Sequence, residues 1–104
     1  SIVTLSKIPI GRLDITHETS TFISTDINTY MEADDTGGDV SLNIPSSFGS
    51  VGDWMVIRKM GNSNDITITS DVSLLGKTKI IEQYYIIHLM QSNENVWLAT
   101  GGDE

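Results

Sequence analysis

Cysteine is absent from the sequence, which excludes disulfide bridges, thiolate metal ligands and a cysteine nucleophile. Basic residues are scarce: there are six Lys and Arg against fourteen Asp and Glu, and the formal net charge at pH 7 is -8. A chain this acidic is repelled by nucleic-acid phosphates and by anionic lipid surfaces. We therefore expect neither nucleic acid nor a membrane among its partners.

Long apolar runs are missing as well. No run approaches the roughly 20 residues that a membrane-spanning helix needs, and the N-terminal residues do not form a charged-then-apolar signal peptide. The chain has 104 residues and 38% hydrophobic content, which suits one domain with a modest core. Its start at Ser1 rather than Met is typical of a processed product or of a fragment of a longer protein.

Strand signals recur along the chain at intervals of about ten residues. The clearest is residues 40–44, where Val, Leu and Ile alternate with Asn and Ser before Pro45, which has no N–H to donate. Residues 53–60 and 66–69 are further strand candidates, and Gly, Asn, Ser and Asp separate these segments. The pattern predicts an all-β fold, a small antiparallel β-sandwich or meander of jelly-roll-like type, without a helix.

The regularity of this pattern divides the chain into two parts. In residues 1–20 the apolar positions are interrupted by Pro9 and Gly11. We predict that this part is a lead-in segment, which either crosses as a strand from an upstream stalk or covers the main sheet. His17 is expected in a loop there. Residues 21–104 are the predicted β domain.

The longest apolar stretch is residues 84–90, Tyr-Tyr-Ile-Ile-His-Leu-Met. On a strand its side chains alternate between two faces. One face would carry Tyr84, Ile86, His88 and Met90, and the other Tyr85, Ile87 and Leu89. Both faces are largely apolar, which indicates burial on both sides. A chain this small needs additional surface to cover both.

Several features follow one another in a characteristic order between residues 21 and 100. The first three are an alternating strand that ends in an apolar-Pro step (residues 40–45), a Gly-led strand with basic residues (52–59) and a strand that begins with Asn-Asp (64–69). An apolar-Gly turn (75–76), a Tyr-rich strand (84–90) and Asn-x-Trp (95–97) follow. This order resembles the small β domains in tail fibres, tail spikes, tail needles and head fibres of tailed bacteriophages. The bend at residues 92–95 is Ser-Asn-Glu-Asn rather than Asp-Gly, and residues 1–20 match no part of that pattern.

The resemblance implies a homotrimer that caps or interrupts a fibre of the virion. A trimer would supply the second surface that the stretch at residues 84–90 needs. The predicted subunit interface consists of Tyr84, Ile86, Ile87, His88, Leu89 and Met90. The implied role is mechanical and adhesive, at a fibre tip that binds a glycan or protein receptor on the host cell, with no cofactor.

Catalytic motifs are not found in the sequence. His17 and His88 lie far apart, and there is no Gly-x-Ser-x-Gly elbow, His-Glu-x-x-His helix or phosphate-binding glycine loop. In an apolar strand, a hydrogen-bonded core or interface role for His88 is favoured over a catalytic one. We predict that the protein is not an enzyme, although a pair of carboxylates flanking a glycosidic bond stays open because acidic residues are abundant.

An acidic turn, Glu-Ala-Asp-Asp-Thr-Gly-Gly-Asp, occupies residues 32–39. Closely spaced carboxylates and glycines are compatible with a calcium loop. The turn lacks the spacing of a helix-flanked calcium loop and the bidentate Glu that follows one, so a solvated turn is favoured. We predict no metal site, or weak calcium binding at most.

Aromatic residues offer a platform on which the apolar face of a sugar ring can stack. Trp97 closes the last predicted strand and is expected to pack on the sheet. Packing in the core or in a subunit interface is favoured over ligand contact for both tryptophans. If a sugar is bound, we predict that Trp54 and Tyr30 bind it, because polar loops adjoin them.

Arg58 and Lys59 are adjacent basic residues in a predicted strand. Alternation places Trp54, Val56 and Arg58 on one face and Met55, Ile57 and Lys59 on the other. At least one of the two charges must therefore lie near an edge or meet a carboxylate, which a neighbouring subunit could provide. The alternative is that both protect an edge strand from unwanted pairing.

Two other functional classes stay open. One is a monomeric carbohydrate-binding β-sandwich module attached to an enzyme, and the other is a capping or capsid decoration domain without a ligand. The oligomeric state distinguishes the first from a fibre domain, and ligand binding distinguishes the second.

Overall fold

The computed structural model of the chain describes residues 7–16 and 18–104. Within these residues the fold is all-β, with ten strands and one short 3-10 helix, Ser24–Asp26. The strands are β1 (Ile15–Thr16), β2 (Thr19–Thr21), β3 (Thr29–Asp34), β4 (Val40–Ile44), β5 (Trp54–Lys59), β6 (Ile66–Ser70), β7 (Ser73–Gly76), β8 (Lys79–Ile80), β9 (Ile86–Asn93) and β10 (Val96–Thr100).

From β1 to β6 the chain alternates between two sheets, so that each pair of strands stacks on the pair before it. The arrangement is solenoid-like. The larger sheet has the order β1-β3-β5-β9-β10-β7 and the smaller one the order β2-β4-β6-β8. The β1–β3–β5 and β2–β4–β6 neighbours are parallel, whereas β9 and β10 continue the larger sheet as an antiparallel hairpin.

The predicted all-β class is confirmed, but the purely antiparallel pairing is wrong. Of the eight strand pairings, the five of β1–β3, β3–β5, β2–β4, β4–β6 and β7–β10 are parallel. Parallel sheets usually carry helices on their faces, so their strands read as continuous apolar runs, while alternation is typical of antiparallel sheets. Here each parallel strand packs on the core with one face only, because the two sheets cover each other. The alternation is therefore compatible with either direction.

The core lies between the two sheets and is built from the inward-facing half of each strand. In β4 these residues are Val40, Leu42 and Ile44, all fully buried, as the alternation predicts. Trp97 is also buried and contacts Phe48, which in turn packs on Phe22, with ring centroids 6.1 and 6.3 Å apart. Trp97 therefore packs in the core, as expected for the closing strand.

The described part of the predicted lead-in segment belongs to the same two sheets. The N–H of Tyr30 donates to Pro9, and the N–H of Gly11 donates to Tyr30, so residues 9–11 run along β3. β2 begins at Thr19, within residues 1–20. Residues 1–6 and His17 lie outside the described residues. For residues 1–6 the predicted lead-in, and for His17 the predicted loop, therefore stay predictions.

The apolar stretch at residues 84–90 is only partly a strand. β9 begins at Ile86, and Tyr84 and Tyr85 lie in the preceding turn with about half of their surface exposed. Ile87 and Leu89 are fully buried in the chain's own core, so they have no surface to offer another subunit. Met90, on the outer face, is 40% exposed. Burial on both faces is thus not found within the described chain.

Candidate functional site

The outer face of β3, β5 and β9 carries two aromatic side chains, Tyr30 and Trp54, together with Arg58 and His88. Strand register places them in rungs that cross the sheet. One rung joins Trp54 to Met90, the next joins Tyr30, Val56 and His88, and the third joins Glu32, Arg58 and Ile86. Because outward positions alternate with buried ones along β5, all three rungs point away from the core.

These rungs enclose a groove of about 420 Å³, which we call the β5 groove. Val56 is the smallest residue on its rung and lies between Trp54 and Arg58, so the centre of the face is lower than its surroundings. Ile8, from the N-terminal segment, completes one side. The seven lining residues are Ile8, Tyr30, Trp54, Val56, Arg58, Ile86 and His88.

Trp54 is fixed in the groove through its backbone. The side-chain oxygen of Asn28 accepts a hydrogen bond from the Trp54 N–H at 3.0 Å, and the Asn28 N–H donates to the Trp54 carbonyl at 2.6 Å. Asn28 has a φ of 61°, in the left-handed region that Asn tolerates better than most residues. Its side-chain amide also donates to Asp53 at 3.2 Å. The Trp54 ring meets His88 edge to face, with centroids 6.4 Å apart.

Tyr30, Glu32 and Arg58 form a polar group at the other end of the groove. The Tyr30 hydroxyl donates to Glu32 at 2.8 Å, and the Arg58 guanidinium lies 5.8 Å from the centroid of the Tyr30 ring. Burial, and then the hydrogen bond to Glu32, raise the pKa of the Tyr30 phenol above its ordinary value, although the positive charge of Arg58 opposes this. The phenol is therefore protonated at neutral pH and acts as the donor to Glu32.

The structure brings together residues that the sequence assigned to two different sites. Trp54 and Tyr30, predicted to bind a ligand, line the same groove as Ile86 and His88, predicted to contact another subunit. Of the other predicted interface residues, Met90 adjoins the groove across the rung from Trp54, whereas Ile87 and Leu89 face the core. A ligand and a neighbouring subunit would thus compete for this face.

Three of the groove residues were not predicted to take part in a site: Ile8, Val56 and Arg58. Alternation placed Val56 and Arg58 on the same face as Trp54, and that was the available signal. The missing information was the parallel pairing of β3 with β5, which brings Tyr30 beside Val56. Local sequence patterns do not encode which strands become neighbours.

Lys59 meets a carboxylate, as its position in the strand required, and the carboxylate belongs to its own chain. Its ammonium group lies 3.1 Å from Asp35, and both side chains are fully buried. β5 lies between β3 and β9, so Arg58 and Lys59 do not protect an edge strand.

The carboxylates of the acidic turn are directed to separate partners. Asp35 accepts hydrogen bonds from Lys59 and from the N–H groups of Ser63 and Asn64. Asp39 accepts from the N–H of Asp65. Over residues 7–16 and 18–104, no group of three or more His, Cys, Asp or Glu side chains is arranged to hold a metal ion. The buried position of Asp35 shows that the turn is not simply solvated.

A second hollow, of about 550 Å³, lies near the start of β7. It is lined mainly by hydroxyl, amide and carboxyl groups and contains no aromatic side chain. Its lining residues are Ser46, Ser47, Asp71, Val72, Ser73 and Asn95. With Val72 as the single apolar residue of its lining, it offers a weaker site for an organic ligand than the β5 groove does.

Comparison with known proteins provides no family assignment. No model of a protein family matches the chain, and no curated protein is similar to it at a significant level. In the part of the chain that the structure describes, no helix has the length and apolar character needed to cross a membrane.

Proposed function

We propose that the chain is an adhesion domain of a bacteriophage fibre, spike or needle, and that it binds a host-surface glycan in the β5 groove. The observation that carries the proposal is the meeting of Trp54 and Tyr30 in one concave surface on neighbouring strands. The phage origin follows from the resemblance of the sequence pattern alone. The choice of a glycan follows from the chemistry of the groove.

A sugar ring has apolar faces and a rim of hydroxyl groups, and the groove provides partners for both. Trp54 and Tyr30 offer aromatic surface, and Val56 leaves room between the higher side chains. Arg58 supplies hydrogen-bond donors, and Glu32, next to the groove, supplies acceptor capacity. A mostly apolar groove with a few convergent polar groups is the usual form of a small-molecule site.

Binding without catalysis is supported by the composition of the groove. Hydrolysis of a glycosidic bond generally requires two carboxyl groups about 5 to 10 Å apart on either side of that bond. The lining residues of the β5 groove include neither Asp nor Glu, and Glu32 is the one carboxylate on its three rungs. We propose that the groove holds a glycan and leaves it intact.

Glycan-array binding followed by titration tests this function. Trp54→Ala removes the aromatic surface, and Val56→Phe fills the floor from an outward-facing position, so both should abolish binding while the chain stays folded. Tyr85→Ala is the matched control, because Tyr85 is an exposed aromatic residue in a turn outside the groove lining. Binding that survives both groove variants, or that is lost in Tyr85→Ala, would contradict the assignment.

A second candidate function uses the same face as a subunit contact in a homotrimer. It is favoured by the apolar side chains Val56, Ile86 and Met90 on the outer face, where Val56 is diagonal to the other two across β5 and β9. Burying such side chains contributes about 25 cal/mol per Å² of apolar surface before the cost of association is subtracted. In this arrangement the domain would be a structural cap without a ligand in the groove.

Light scattering at micromolar concentration, together with Met90→Lys, distinguishes the two functions. If the face is a subunit contact, the chain is a trimer and a buried lysine at position 90 dissociates it. If the groove binds a glycan, Met90→Lys leaves the mass unchanged. A monomer that binds glycans would favour the carbohydrate-binding module instead of the fibre domain.

A further inference from the structure

Arg58 has an incomplete set of hydrogen-bond partners. Its side chain is half-buried in the β5 groove, where it packs on the ring of Tyr30. The Nε atom is buried and donates to no acceptor among the described residues. Buried N–H groups are almost always paired, because an unpaired donor forfeits its hydrogen bonds to water. Arg58 also lines the groove, where a bound molecule would offer its guanidinium group an acceptor.

Other buried or half-buried basic residues are already paired with acids. Arg12 binds Asp26 through two hydrogen bonds of 2.9 and 3.0 Å, and Lys59 lies 3.1 Å from Asp35. Lys79 lies 3.9 Å from Asp65. Lys7 and Lys77 are exposed to solvent.

Arg58 differs from these residues even though an acid stands opposite it. Glu32 is its partner in the strand register, yet no ion pair within 4 Å joins the two residues in the described structure. Glu32 instead accepts the hydrogen bond of the Tyr30 hydroxyl. The sequence has fourteen acidic residues, yet within residues 7–16 and 18–104 the cation in the groove has no ion-pair partner.

From this arrangement we propose that Arg58 selects glycans that carry a carboxylate, such as uronic or sialic acid residues. The inference rests on the proposed glycan-binding function of the β5 groove. A guanidinium edge presents parallel N–H donors that match the two oxygens of a carboxylate. Arg58 lines the groove, so a carboxylate bound there would be the acidic partner that the described residues do not provide.

The length of the groove sets the size of the ligand. Trp54 and Arg58 are four residues apart on β5, which corresponds to about 13 Å at roughly 3.3 Å per residue. A disaccharide spans such a distance. One sugar ring would stack near Trp54 while the acidic ring lies over Val56 and directs its carboxylate to Arg58.

The overall negative charge of the chain does not prevent this contact. Charges on exposed side chains farther away than about 8 Å are largely screened at physiological ionic strength. The repulsion from Glu32 is local, and its hydrogen bond with the Tyr30 hydroxyl disperses part of that charge. The attraction between Arg58 and the carboxylate of the glycan is itself screened by salt. Raising the salt concentration should thus weaken binding of the acidic glycan.

The test is a glycan array that contains uronic-acid and sialic-acid oligosaccharides, each next to its neutral methyl ester, and sulfated oligosaccharides. We expect the acidic form to bind about tenfold more tightly than its ester. Arg58→Gln should remove this preference. Arg58→Lys should keep only part of it, because lysine has the charge but not the paired N–H donors of the guanidinium group. Lys77→Gln, the same charge change at an exposed residue, should leave the preference intact.

The outcomes separate this inference from the function on which it rests. Equal or tighter binding of the esters, or a preference for sulfated glycans, overturns the carboxylate role of Arg58 while glycan binding stands. A preference for acids that persists in Arg58→Gln also overturns it. If no glycan on the array binds, the proposed function of the groove fails together with the inference.

Discussion

Lys59 and Asp35 form an ion pair of 3.1 Å in which both side chains are completely buried. The pair joins the end of β5 to the loop that follows β3. Lys59 also donates to the carbonyl of Gly61, and Asp35 also accepts from the N–H groups of Ser63 and Asn64. Gly61 lies close against Asp35, where a Cβ atom would overlap the carboxylate. One carboxylate thus organises the loop between β5 and β6.

Removing Asp35 should destabilise the chain more than removing Lys59. Asp35→Ala leaves a buried ammonium and two backbone N–H groups without their acceptor, which should cost about 3–5 kcal/mol. Lys59→Met leaves Asp35 with the N–H donors of Ser63 and Asn64, so we expect a smaller cost of about 1–3 kcal/mol. Urea unfolding at 25 °C measures both. Glu94→Ala, at an exposed turn, should stay within about 0.5 kcal/mol of the parent.

A larger cost for Lys59→Met than for Asp35→Ala would contradict this assignment. It would mean that the lysine, and not the carboxylate, holds the loop.

The same pair predicts a loss of stability in acid. Burial alone would raise the pKa of Asp35, but the N–H of Asn64, the ammonium of Lys59 and the N–H of Ser63 together lower it below its ordinary value. Because the pKa of Asp35 is lower in the folded chain, the stabilisation is complete above the pKa of the unfolded chain, about 3.9. It is lost as the pH falls through the pKa of the folded chain.

Comparison of the parent chain with Asp35→Asn isolates this effect. The free energy of unfolding of the parent should exceed that of the variant most at pH 5 to 6, roughly two units above the unfolded value, and the difference should shrink toward pH 2. Urea titrations at several pH values measure it, and Glu94→Gln serves as the control. A difference that stays constant across this range would show that the ionisation of Asp35 does not stabilise the fold.

The positions of individual strands are easier to predict from the sequence than the pairing between them. The alternation of β4 and β5 is found as expected, and the face that Met55, Ile57 and Lys59 share is the inward one. Each of these patterns depends on neighbouring residues only. The parallel pairing of β3 with β5 joins residues 26 positions apart in the sequence, such as Ala33 and Lys59. No local pattern predicts such a pairing.

The candidate site shows the same division. Trp54 and Tyr30 were predicted from their types and from the polar loops beside them, and they share a groove because of strand pairing. The sequence predicts a solvated turn around Asp35, since its partner Lys59 is distant in sequence. Tyr84 was placed in a strand, yet it has a φ of 68°, a conformation that few aromatic residues adopt. Its type gave no indication of this turn.

Gly76 should tolerate substitution much less than Gly52, although both have positive φ, 111° and 96°. A Cβ atom on Gly76 would overlap the carbonyl oxygen of Ala99 on the paired strand β10, whereas no atom lies within 4 Å of one on Gly52. Gly52→Ala should therefore cost about 1–2 kcal/mol from backbone strain alone. Gly76→Ala should cost at least about 2 kcal/mol more, because β7 must move away from β10.

Thermal unfolding of the two alanine variants measures this difference. For a chain of this size, about 1 kcal/mol corresponds to a shift of roughly 4–8 °C in Tm. Equal Tm values for the two variants would show that β7 does not approach β10 as closely as the structure places it.

Asn28 should control how well Trp54 binds a ligand. Asn28→Gly keeps a residue that adopts positive φ but removes the side-chain acceptor of the Trp54 N–H and the donor to Asp53. We expect a loss of about 0.5–1.5 kcal/mol of stability for each hydrogen bond removed. A mobile Trp54 also pays a larger ordering cost on binding, so affinity for glycans should fall while the preference for acidic ones, set by Arg58, is kept.

Asn95→Gly is the matched control, since Asn95 has a similar φ of 58° and lies in the β9–β10 turn away from the β5 groove. Asn95→Gly should leave the affinity for glycans unchanged, because the substitution affects a different turn. The fluorescence of Trp54 reports the local change directly, as the second tryptophan, Trp97, is buried in the core and is not displaced. If Asn28→Gly and Asn95→Gly bind glycans equally well, the hydrogen bonds of Asn28 do not position Trp54 for binding.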